Sequence, residues 1–334
     1  AVQLTHRNFL SNIRAIREHI ELREDDVMLS VLPFFHVYGL NCNGLLPLIV
    51  GMTTVTWPNP LDYRKVCQLI REEQCTMAVG TPAFLGGYLR QSEPGDFASM
   101  RIVVVGADKA SDALREGYLR QHGLTLLEGY GATETSPVVS VNTHTHNRPG
   151  SIGRLLPGVM VQIRDLQTNM PLPPGMEGKI AVRGDLVMKG YYDDLEETSF
   201  RIKDGWYDTG DMGMMDEDGF LWHRGRLRRF VKIGGEMISL VRVEDALMAH
   251  LPEGISACVV EIPDPLKGAR ILAAVDGPVD ARKLLKQVSG ELPALAVPKG
   301  VVELAEFPKM GSGKIDFRTT REWVMDVLAR GGRG

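Results

Sequence analysis

The sequence predicts an α/β fold that continues into a β-rich segment and ends in a small α+β domain. Short apolar runs without polar alternation are separated by helix-like segments in the first 149 residues, a pattern typical of parallel strands with covering helices. From about residue 150, strand candidates punctuated by Gly and Pro predict antiparallel hairpins or a small barrel. With 334 residues and 44% hydrophobic content, the chain is long enough for two domains with separate cores.

The first layer is predicted over residues 1–149. Thr5 is suited to cap a helix, because the apolar residues that follow it recur at helical spacing on one face. Segments 61–74 and 110–122 are predicted as covering helices. The predicted strands are VMLSVLP (27–33), TMAVG (76–80), RIVVVGA (101–107) and LTLLEGYG (124–131).

The second part of the chain has a different pattern. Strand candidates VMVQIRD, GKIAVRG and GFLWHRG predict a β-rich subdomain over 150–227, which closes a first domain of residues 1–227. In 228–334, GISACVVEI and ARILAAVDG bracket a turn and precede a helix candidate at 280–290. This order predicts a separate α+β domain.

Composition excludes several classes of function. A formal charge of −4 and a pI near 6.1 give no basic field for nucleic acid, so no nucleic-acid partner is expected. The cysteines, at 42, 67, 75 and 258, form no C-x-x-C pair, which suits a reducing cytoplasm. No apolar stretch in the sequence reaches the roughly 18–20 residues that span a bilayer.

The stretch EGYGATETSP at 128–137 places glycines, hydroxyls and a carboxylate where a buried strand should end. Backbone N–H groups at the carboxyl edge of an open α/β sheet are suited to bind phosphate. Thr133 could donate to a phosphate oxygen and Glu134 could hold Mg²⁺, since hard cations prefer carboxylate oxygens beside phosphates. Taken singly, the stretch is equally well explained as a plain turn.

Three later stretches repeat this mixture of glycine and charge. In DGWYDTGDMG (204–213), Asp211 is suited to accept from ribose hydroxyls, although an Asp-Gly hairpin turn also explains it. In HRGRLRRFVKIGGEMIS (223–239), a basic run precedes Gly234 and Gly235, which suits a hinge or a plain solvated face. In FPKMGSGKIDFR (307–318), Lys314 follows a Gly-Ser-Gly loop. It is explained either as an ordinary surface lysine or as an electrostatic catalyst.

Together with LPFFHVYGL (32–40), these stretches resemble in content and order the core motifs of the adenylate-forming superfamily, which includes acyl-CoA synthetases and AMP-binding enzymes. LEGYGATETSPVVSVN, FVKIGGEMISL and GSGKIDF are similar, more narrowly, to the ligase part of bacterial acyl-acyl carrier protein synthetases fused to 2-acylglycerophosphoethanolamine acyltransferase. The resemblance implies the carboxyl portion of the large adenylate-forming domain, followed by a mobile C-terminal domain.

The resemblance also implies a two-step reaction with ATP and Mg²⁺. A fatty acid carboxylate attacks the α-phosphate of ATP, pyrophosphate leaves, and a thiol then displaces AMP. The thiol belongs to acyl carrier protein in the main interpretation, which implies phospholipid acyl turnover, and to coenzyme A in the alternative, a long-chain acyl-CoA synthetase. An inactive AMP-binding or structural fragment is the alternative from another class.

Site roles follow from the same resemblance. It assigns catalysis to Lys314, Thr133 and Glu134, with Glu134 as the metal ligand. His36 would lie near the acyl carboxylate, or is a core-edge histidine in an aromatic patch; Gly234 and Gly235 would line the thiol channel. The nucleotide would contact Gly106, Ala107, Asp108, Gly129, Tyr130, Gly131, Thr133, Asp211 and Arg226.

Two departures from the family pattern stand out. Arg228 occupies the hinge position where many relatives carry Asp or Lys, and it keeps the charge of lysine in a planar fork. The family's phosphate loop normally precedes VQLTHRN, so we expect a chain without it to be inactive alone. The protein is expected to be cytoplasmic, and an upstream acyltransferase or membrane domain would place it at the cytoplasmic face of the inner membrane.

Overall fold

The computed structural model describes residues 1–252, 254–264, 268–309 and 315–330. It divides into two compact units, Ala1–His223 and Arg224–Gly334, which are described separately. The division falls shortly before the domain boundary predicted at 227/228, which stays a prediction. Among the described residues, no helix combines the length and apolar character needed to cross a membrane.

The first unit is built around a seven-stranded sheet. Its strands from β2 to β6 run parallel, and β7 and β8 join the β6 edge antiparallel, in the order β3-β2-β4-β5-β6-β7-β8. A two-stranded antiparallel sheet pairs β1 with β11. The strands concerned are β1 (Val2–Gln3), β2 (Val27–Ser30), β3 (Thr53–Thr56), β4 (Met77–Gly80), β5 (Ile102–Val105), β6 (Leu126–Gly131), β7 (Val138–Val141), β8 (Arg154–Leu155) and β11 (Gly190–Tyr191).

Helices cover both faces of this sheet. Successive residues of one strand enter different cores: Met28 packs in the cluster with Ile13 and Ile16, whereas Leu29 packs in the cluster with Ile70. Burial on both faces explains why these strands show no polar alternation. The helices are α1 (His6–His19), a π-helical segment (Gly39–Leu45), α2 (Leu46–Val50), α3 (Tyr63–Glu72), α4 (Pro82–Gln91) and α5 (Asp112–His122).

A five-stranded antiparallel sheet completes the first unit. Its order is β12-β13-β10-β9, and β14 pairs with β13. The inner face carries Val139, Ile180 and Leu221 in a third apolar cluster. The elements are β9 (Met160–Arg164), β10 (Gly178–Arg183), α6 (Leu195–Arg201), β12 (Ile202–Lys203), β13 (Trp206–Met215) and β14 (Leu221–Arg226).

The second unit has its own cores. Strands β17 and β18 are antiparallel, β19 joins β18 in parallel, and β15 and β16 form a separate hairpin. Two apolar clusters flank the three-stranded sheet, one with Val259 and Ala273 and one with Val260 and Ala274. The elements are β15 (Phe230–Ile233), β16 (Glu236–Ser239), α7 (Leu240–Met248), β17 (Ala257–Asp264), β18 (Gly268–Val275), α8 (Ala281–Val288), β19 (Val301–Glu303) and α9 (Phe317–Ala329).

The predicted α/β class is confirmed, and so are the predicted elements. Thr5 caps α1, since its hydroxyl accepts from the backbone of Asn8 and the Asn8 side chain accepts from the backbone of Thr5. The four predicted parallel strands are β2, β4, β5 and β6. Several elements were not predicted, including strand β3, the π-helical segment and helices α2, α4, α6, α7 and α9.

Candidate active site

The turn after β6 is shaped by a close backbone approach. Strand β6 ends at Gly131, and Thr133–Thr135 form a single 3₁₀ turn. A Cβ atom on Gly131 would lie 2.1 Å from the carbonyl oxygen of Pro137, so only glycine fits there. The turn leaves Thr133 exposed while Thr135 is fully buried. A Cβ atom added to Gly129 would also lie against backbone, 3.2 Å from the Ser140 carbonyl oxygen.

Tyr130 and Asp211 are brought together from strands β6 and β13. The Tyr130 hydroxyl donates to Asp211 Oδ2 over 2.5 Å, and Asp211 is only 3% exposed. His223 Nε2 lies 3.6 Å from Asp211 Oδ1, and its ring lies 5.7 Å from the Tyr130 ring. A tyrosine ring, an imidazole and a carboxylate acceptor therefore share one corner of the first unit, a combination suited to a planar base and a ribose.

Glu134 is held by a tyrosine that the sequence analysis did not identify. Tyr191, on β11, donates from its hydroxyl to Glu134 Oε1 over 2.9 Å. Burial, followed by the hydrogen bond to Glu134, raises the pKa of Tyr191 to about 12, so its hydroxyl stays protonated. Tyr207, on β13, is buried, and burial followed by the nearby Glu134 carboxylate raises its pKa far above the usual value.

This Glu134 site fits a magnesium ion bound together with a phosphate. Among the described residues, no hydrogen bond reaches Glu134 Oε2, and no group of three His, Cys, Asp or Glu side chains could form a metal cage. One carboxylate oxygen beside an exposed threonine is the donor set expected where Mg²⁺ takes its remaining ligands from water and substrate phosphates.

A buried asparagine network supports the turn from behind. Asn41, in the π-helical segment, donates to Asn12 Oδ1 and to the Ser136 carbonyl, both over 2.9 Å. Asn12, on α1, donates to the Val138 carbonyl over 2.6 Å. Both amides are at most 1% exposed, so these bonds join α1 and the π-helical segment to the backbone that follows Glu134.

The predicted adenine loop follows β5. Gly106 is buried and donates from its backbone to the Gly80 carbonyl over 3.0 Å. Ala107 adopts a left-handed φ of 68°, which is rare for a residue with a Cβ atom and is often found at functional sites. Asp108 is exposed, and its carboxylate accepts from the Lys109 backbone. The adenine contact of this loop stays a prediction.

His36 lies at the surface of the first unit. Its Nδ1 accepts from the Tyr38 backbone over 3.1 Å. The neighbouring Phe34 and Phe35 are 52% and 90% exposed, which leaves an aromatic pair at the surface. The predicted role of His36 near the acyl carboxylate is not tested by this placement.

The remaining predicted residues lie in the second unit or outside the described residues. Arg226 ends β14 and is exposed, and Arg228 is exposed in a short 3₁₀ turn. Gly234 and Gly235 form the β15–β16 hairpin turn with φ of 57° and 96°, which explains both glycines locally. Lys314 lies outside the described residues, so its catalytic role stays a prediction, as do the ribose, hinge and channel roles.

Two protein-family models match this chain. A family model described as AMP-binding enzyme matches residues 1–192, and the model of the AMP-binding enzyme C-terminal domain matches residues 242–314. The chain belongs to the AMP-binding enzyme family. The predicted resemblance to adenylate-forming enzymes is thereby confirmed.

Among relatives of this AMP-binding enzyme are several CoA ligases. It is 33% identical over 313 residues to the indoleacetate–CoA ligase of Aromatoleum aromaticum, covering 91% of this chain and 60% of the relative. It is 33% identical over 324 residues to the long-chain-fatty-acid–CoA ligase of Bacillus subtilis, covering 94% and 57%. The chain thus spans about three fifths of the length of these curated relatives.

Solved structures agree with the family assignment. ATP-bound MatB from Rhodopseudomonas palustris superimposes with a TM-score of 0.91 at 27% identity, over 98% of this chain and 65% of MatB. The O-succinylbenzoate CoA synthetase MenE of Bacillus subtilis, in complex with ATP and magnesium, gives 0.86 at 26% identity, over 96% and 66%. The fold of this AMP-binding enzyme is therefore that of adenylate-forming enzymes.

Tyr191, Tyr207, His223 and the buried asparagines were missed by sequence reasoning. Tyr191 meets a carboxylate 57 positions earlier in the chain, and His223 contacts a strand that is paired with its own. Neither contact leaves a local motif. The one available signal was the period-2 alternation of WYDTGD, which places Tyr207 and Asp208 on opposite faces of β13.

Proposed function

We propose that this AMP-binding enzyme is an acid–thiol ligase that activates a long-chain fatty acid as its acyl-adenylate and transfers the acyl group to coenzyme A. The observation that carries the proposal is the joining of two clusters in one unit, Tyr130 with Asp211 and Glu134 with Tyr191. The two clusters are adjacent in the chain, since Tyr130 is on β6 and Glu134 lies in the 3₁₀ turn that follows it. This arrangement supports simultaneous recognition of a nucleoside and a phosphate.

In the first step, a carboxylate oxygen of the acid attacks the α-phosphorus, and the bond to the pyrophosphate oxygen breaks. Asp211 would hold the ribose hydroxyls, which requires the Tyr130 hydroxyl to share or release its hydrogen bond. The exposed Thr133 hydroxyl would donate to an α-phosphate oxygen. Magnesium, when bound, would neutralise phosphate charge, and Tyr191 would keep Glu134 aimed at it.

In the second step, the thiol sulfur attacks the acyl carbonyl, AMP leaves with the bonding electrons, and the thiol proton passes to solvent. Both substrates of the first step are anions, so positive groups at the α-phosphate should lower the barrier. By resemblance, Lys314 would supply one such charge.

The acceptor and the acid in this proposal rest on the names of the curated relatives. Coenzyme A is favoured over acyl carrier protein because the curated relatives include CoA ligases, among them the long-chain-fatty-acid–CoA ligases of Bacillus subtilis and Salmonella typhimurium. These names therefore support the alternative acceptor of the sequence analysis better than its main interpretation. Carrier protein remains the competing acceptor, because the narrower motif similarity concerns carrier-protein synthetases.

A product assay tests the proposal. The full-length protein that carries this chain is purified and incubated with ATP, magnesium, one acid (palmitate, indoleacetate or ferulate) and one acceptor (coenzyme A or acyl carrier protein), and thioesters are identified by mass spectrometry. We expect palmitoyl-CoA as the main product, and none with Glu134→Gln. Palmitoyl-carrier protein alone would overturn the acceptor, an aromatic thioester alone would overturn the acid, and AMP binding without any thioester would favour a binding module.

A further inference from the structure

A basic cavity lies on the outer face of the five-stranded sheet. It has a volume of about 220 Å³. Four of its lining side chains are basic and come from separate elements: Arg164 from β9, Lys179 from β10, Arg201 from α6 and Lys203 from β12. Among the described residues that line it, Asp208 is the one carboxylate. We call this site the basic cavity.

The strand alternation separates the basic cavity from the candidate active site. On β13, Tyr207 is buried, whereas its neighbours Trp206 and Asp208 line the basic cavity. Successive side chains of a strand point to opposite faces of its sheet. The basic cavity is therefore on the reverse side of the strand that positions Tyr207.

Within the described residues, two of the four basic side chains of the basic cavity form ion pairs with carboxylates. Lys179 Nζ pairs with Asp208 Oδ2 over 2.8 Å, and Arg201 pairs with Glu197 over 2.7 Å. Arg164 instead bonds the neutral Gln162 amide and lies over the Trp206 ring at 5.1 Å. For Arg164 and Lys203, no ion pair occurs within the described part of the chain.

The strand register makes this arrangement unfavourable without an anion. Arg164 and Lys179 are direct cross-strand partners on β9 and β10, and like charges in that position destabilise a sheet. Ala181, next along β10, presents only a methyl group between Gln162 and Asp208, which leaves the space open. A bound anion would remove the repulsion and fill the space.

From this geometry we infer that the basic cavity binds a diphosphate group. Arginine recognises phosphate oxygens through two parallel N–H donors, and lysine adds a point charge. The volume corresponds to about seven water molecules at ~30 Å³ each, enough for two linked phosphoryl groups. The diphosphate could be free pyrophosphate or part of coenzyme A. The inference stands independently of the proposed function.

Calorimetric titration tests it. The protein in EDTA is titrated with inorganic pyrophosphate, coenzyme A and inorganic phosphate, and the titrations are repeated with Arg164→Gln/Lys203→Gln. A matched control, Arg120→Gln/Lys283→Gln, removes the same charge at exposed positions elsewhere. EDTA suppresses metal-dependent binding at Glu134, and AMP binding by each variant reports whether the candidate active site is intact.

We expect pyrophosphate to bind, with an affinity reduced about ten-fold or more in the cavity variant and unchanged in the control. A parallel loss for coenzyme A would identify its diphosphate as the source, and a loss for pyrophosphate alone would identify the free anion. Equal affinities for phosphate and pyrophosphate, or equal affinities in the cavity variant and the wild type, would overturn the inference.

Two further measurements guard against misfolding of the double variant. Lys203→Glu changes one exposed side chain and should abolish diphosphate binding by charge reversal. Because Arg164 lies over Trp206, pyrophosphate should also change tryptophan fluorescence in the wild type but not in Trp206→Phe. A signal that persists in Trp206→Phe would place the bound anion elsewhere and overturn the inference.

Discussion

At the scale of single residues, the proposed chemistry depends on how the Asp211 and Glu134 carboxylates are oriented. Asp211 is buried and accepts from Tyr130, whereas Glu134 is half-buried and accepts from Tyr191. Both therefore have a tyrosine hydroxyl that fixes one oxygen. With one oxygen fixed, Glu134 can present the other to a ligand with less loss of side-chain entropy, whereas Asp211 would bind ribose by sharing the oxygen that Tyr130 holds.

Tyr191→Phe should raise the magnesium requirement. Without the hydroxyl, Glu134 is less well oriented, and we expect the magnesium concentration that gives half-maximal ATP binding to rise several-fold. AMP binding in EDTA should not change, because it does not use Glu134. Tyr192→Phe is the matched control, since Tyr192 is 61% exposed beside it in the chain. Superimposable magnesium curves for wild type and Tyr191→Phe would refute the positioning role.

Asp211→Asn should weaken AMP and ATP to the same extent. The amide keeps an acceptor for Tyr130 but loses the negative charge toward ribose hydroxyls, and loss of a charge-assisted hydrogen bond corresponds to roughly ten-fold or more in affinity. Asp112→Asn, at a side chain that is 85% exposed, serves as control. Fluorescence titration with both nucleotides checks this, and unchanged affinities would remove Asp211 from the ribose site.

At the scale of elements, α1 and the π-helical segment hold the turn that carries Glu134. Asn41 links Asn12 to the Ser136 carbonyl, and Asn8, also on α1, donates to the Asp185 and Val187 carbonyls over 2.6 and 2.8 Å. One helix thus anchors both the turn after β6 and the segment that leads to Tyr191. The orientation of Glu134 and of its partner is set by the same framework.

Asn41→Ala should destabilise the first unit. It leaves Asn12 Oδ1 and the Ser136 carbonyl without this buried donor, at a cost of about 2–4 kcal/mol in the free energy of unfolding. Asn59→Ala, where an exposed side chain accepts one local 3.1 Å bond from the Leu61 backbone, should change stability by less than about 0.5 kcal/mol. Urea unfolding measures both, and similar values for the two variants would contradict the network.

Elements were predictable from the sequence to the extent that their signal is local. Strands β2, β4, β5 and β6, the Thr5 cap and helices α1, α3, α5 and α8 follow from apolar runs, periodicity and one capping side chain. Strand β3, with the sequence TTVT, has no apolar run and was not predicted. The Asn41 network and the Tyr191–Glu134 contact depend on residues far apart in the chain, so no local sequence pattern predicts them. The basic cavity was missed because its four basic side chains come from four elements.

At the scale of the whole molecule, the two units have separate apolar cores. The clusters of the second unit draw only on residues after 230, including Val231, Leu247 and Val324. Its buried ion pair, Arg229 with Glu244, is also internal, and Glu244 accepts from the Val259 backbone over 2.7 Å. A unit with its own core and internal polar partners can fold alone.

Residues 224–334 expressed alone should therefore unfold cooperatively. We expect one sigmoidal thermal transition by circular dichroism, and protected amides on β17 and β18 in hydrogen exchange. A variant with Val259→Asp, which places an unpaired charge at a fully buried position, should abolish the transition. A gradual, non-cooperative melt of the parent segment would show that its core is incomplete.

The most direct test of the central claim is the exchange of labelled pyrophosphate into ATP. This exchange measures reversible acyl-adenylate formation without any thiol acceptor, so it isolates the chemistry assigned to Glu134 and Asp211. The account predicts that the full-length protein that carries this chain catalyses an exchange that depends on both palmitate and magnesium. The rate should fall at least about a hundred-fold in Glu134→Gln and remain normal in Tyr192→Phe. Exchange that persists in Glu134→Gln, or that proceeds equally without a carboxylic acid, would contradict it.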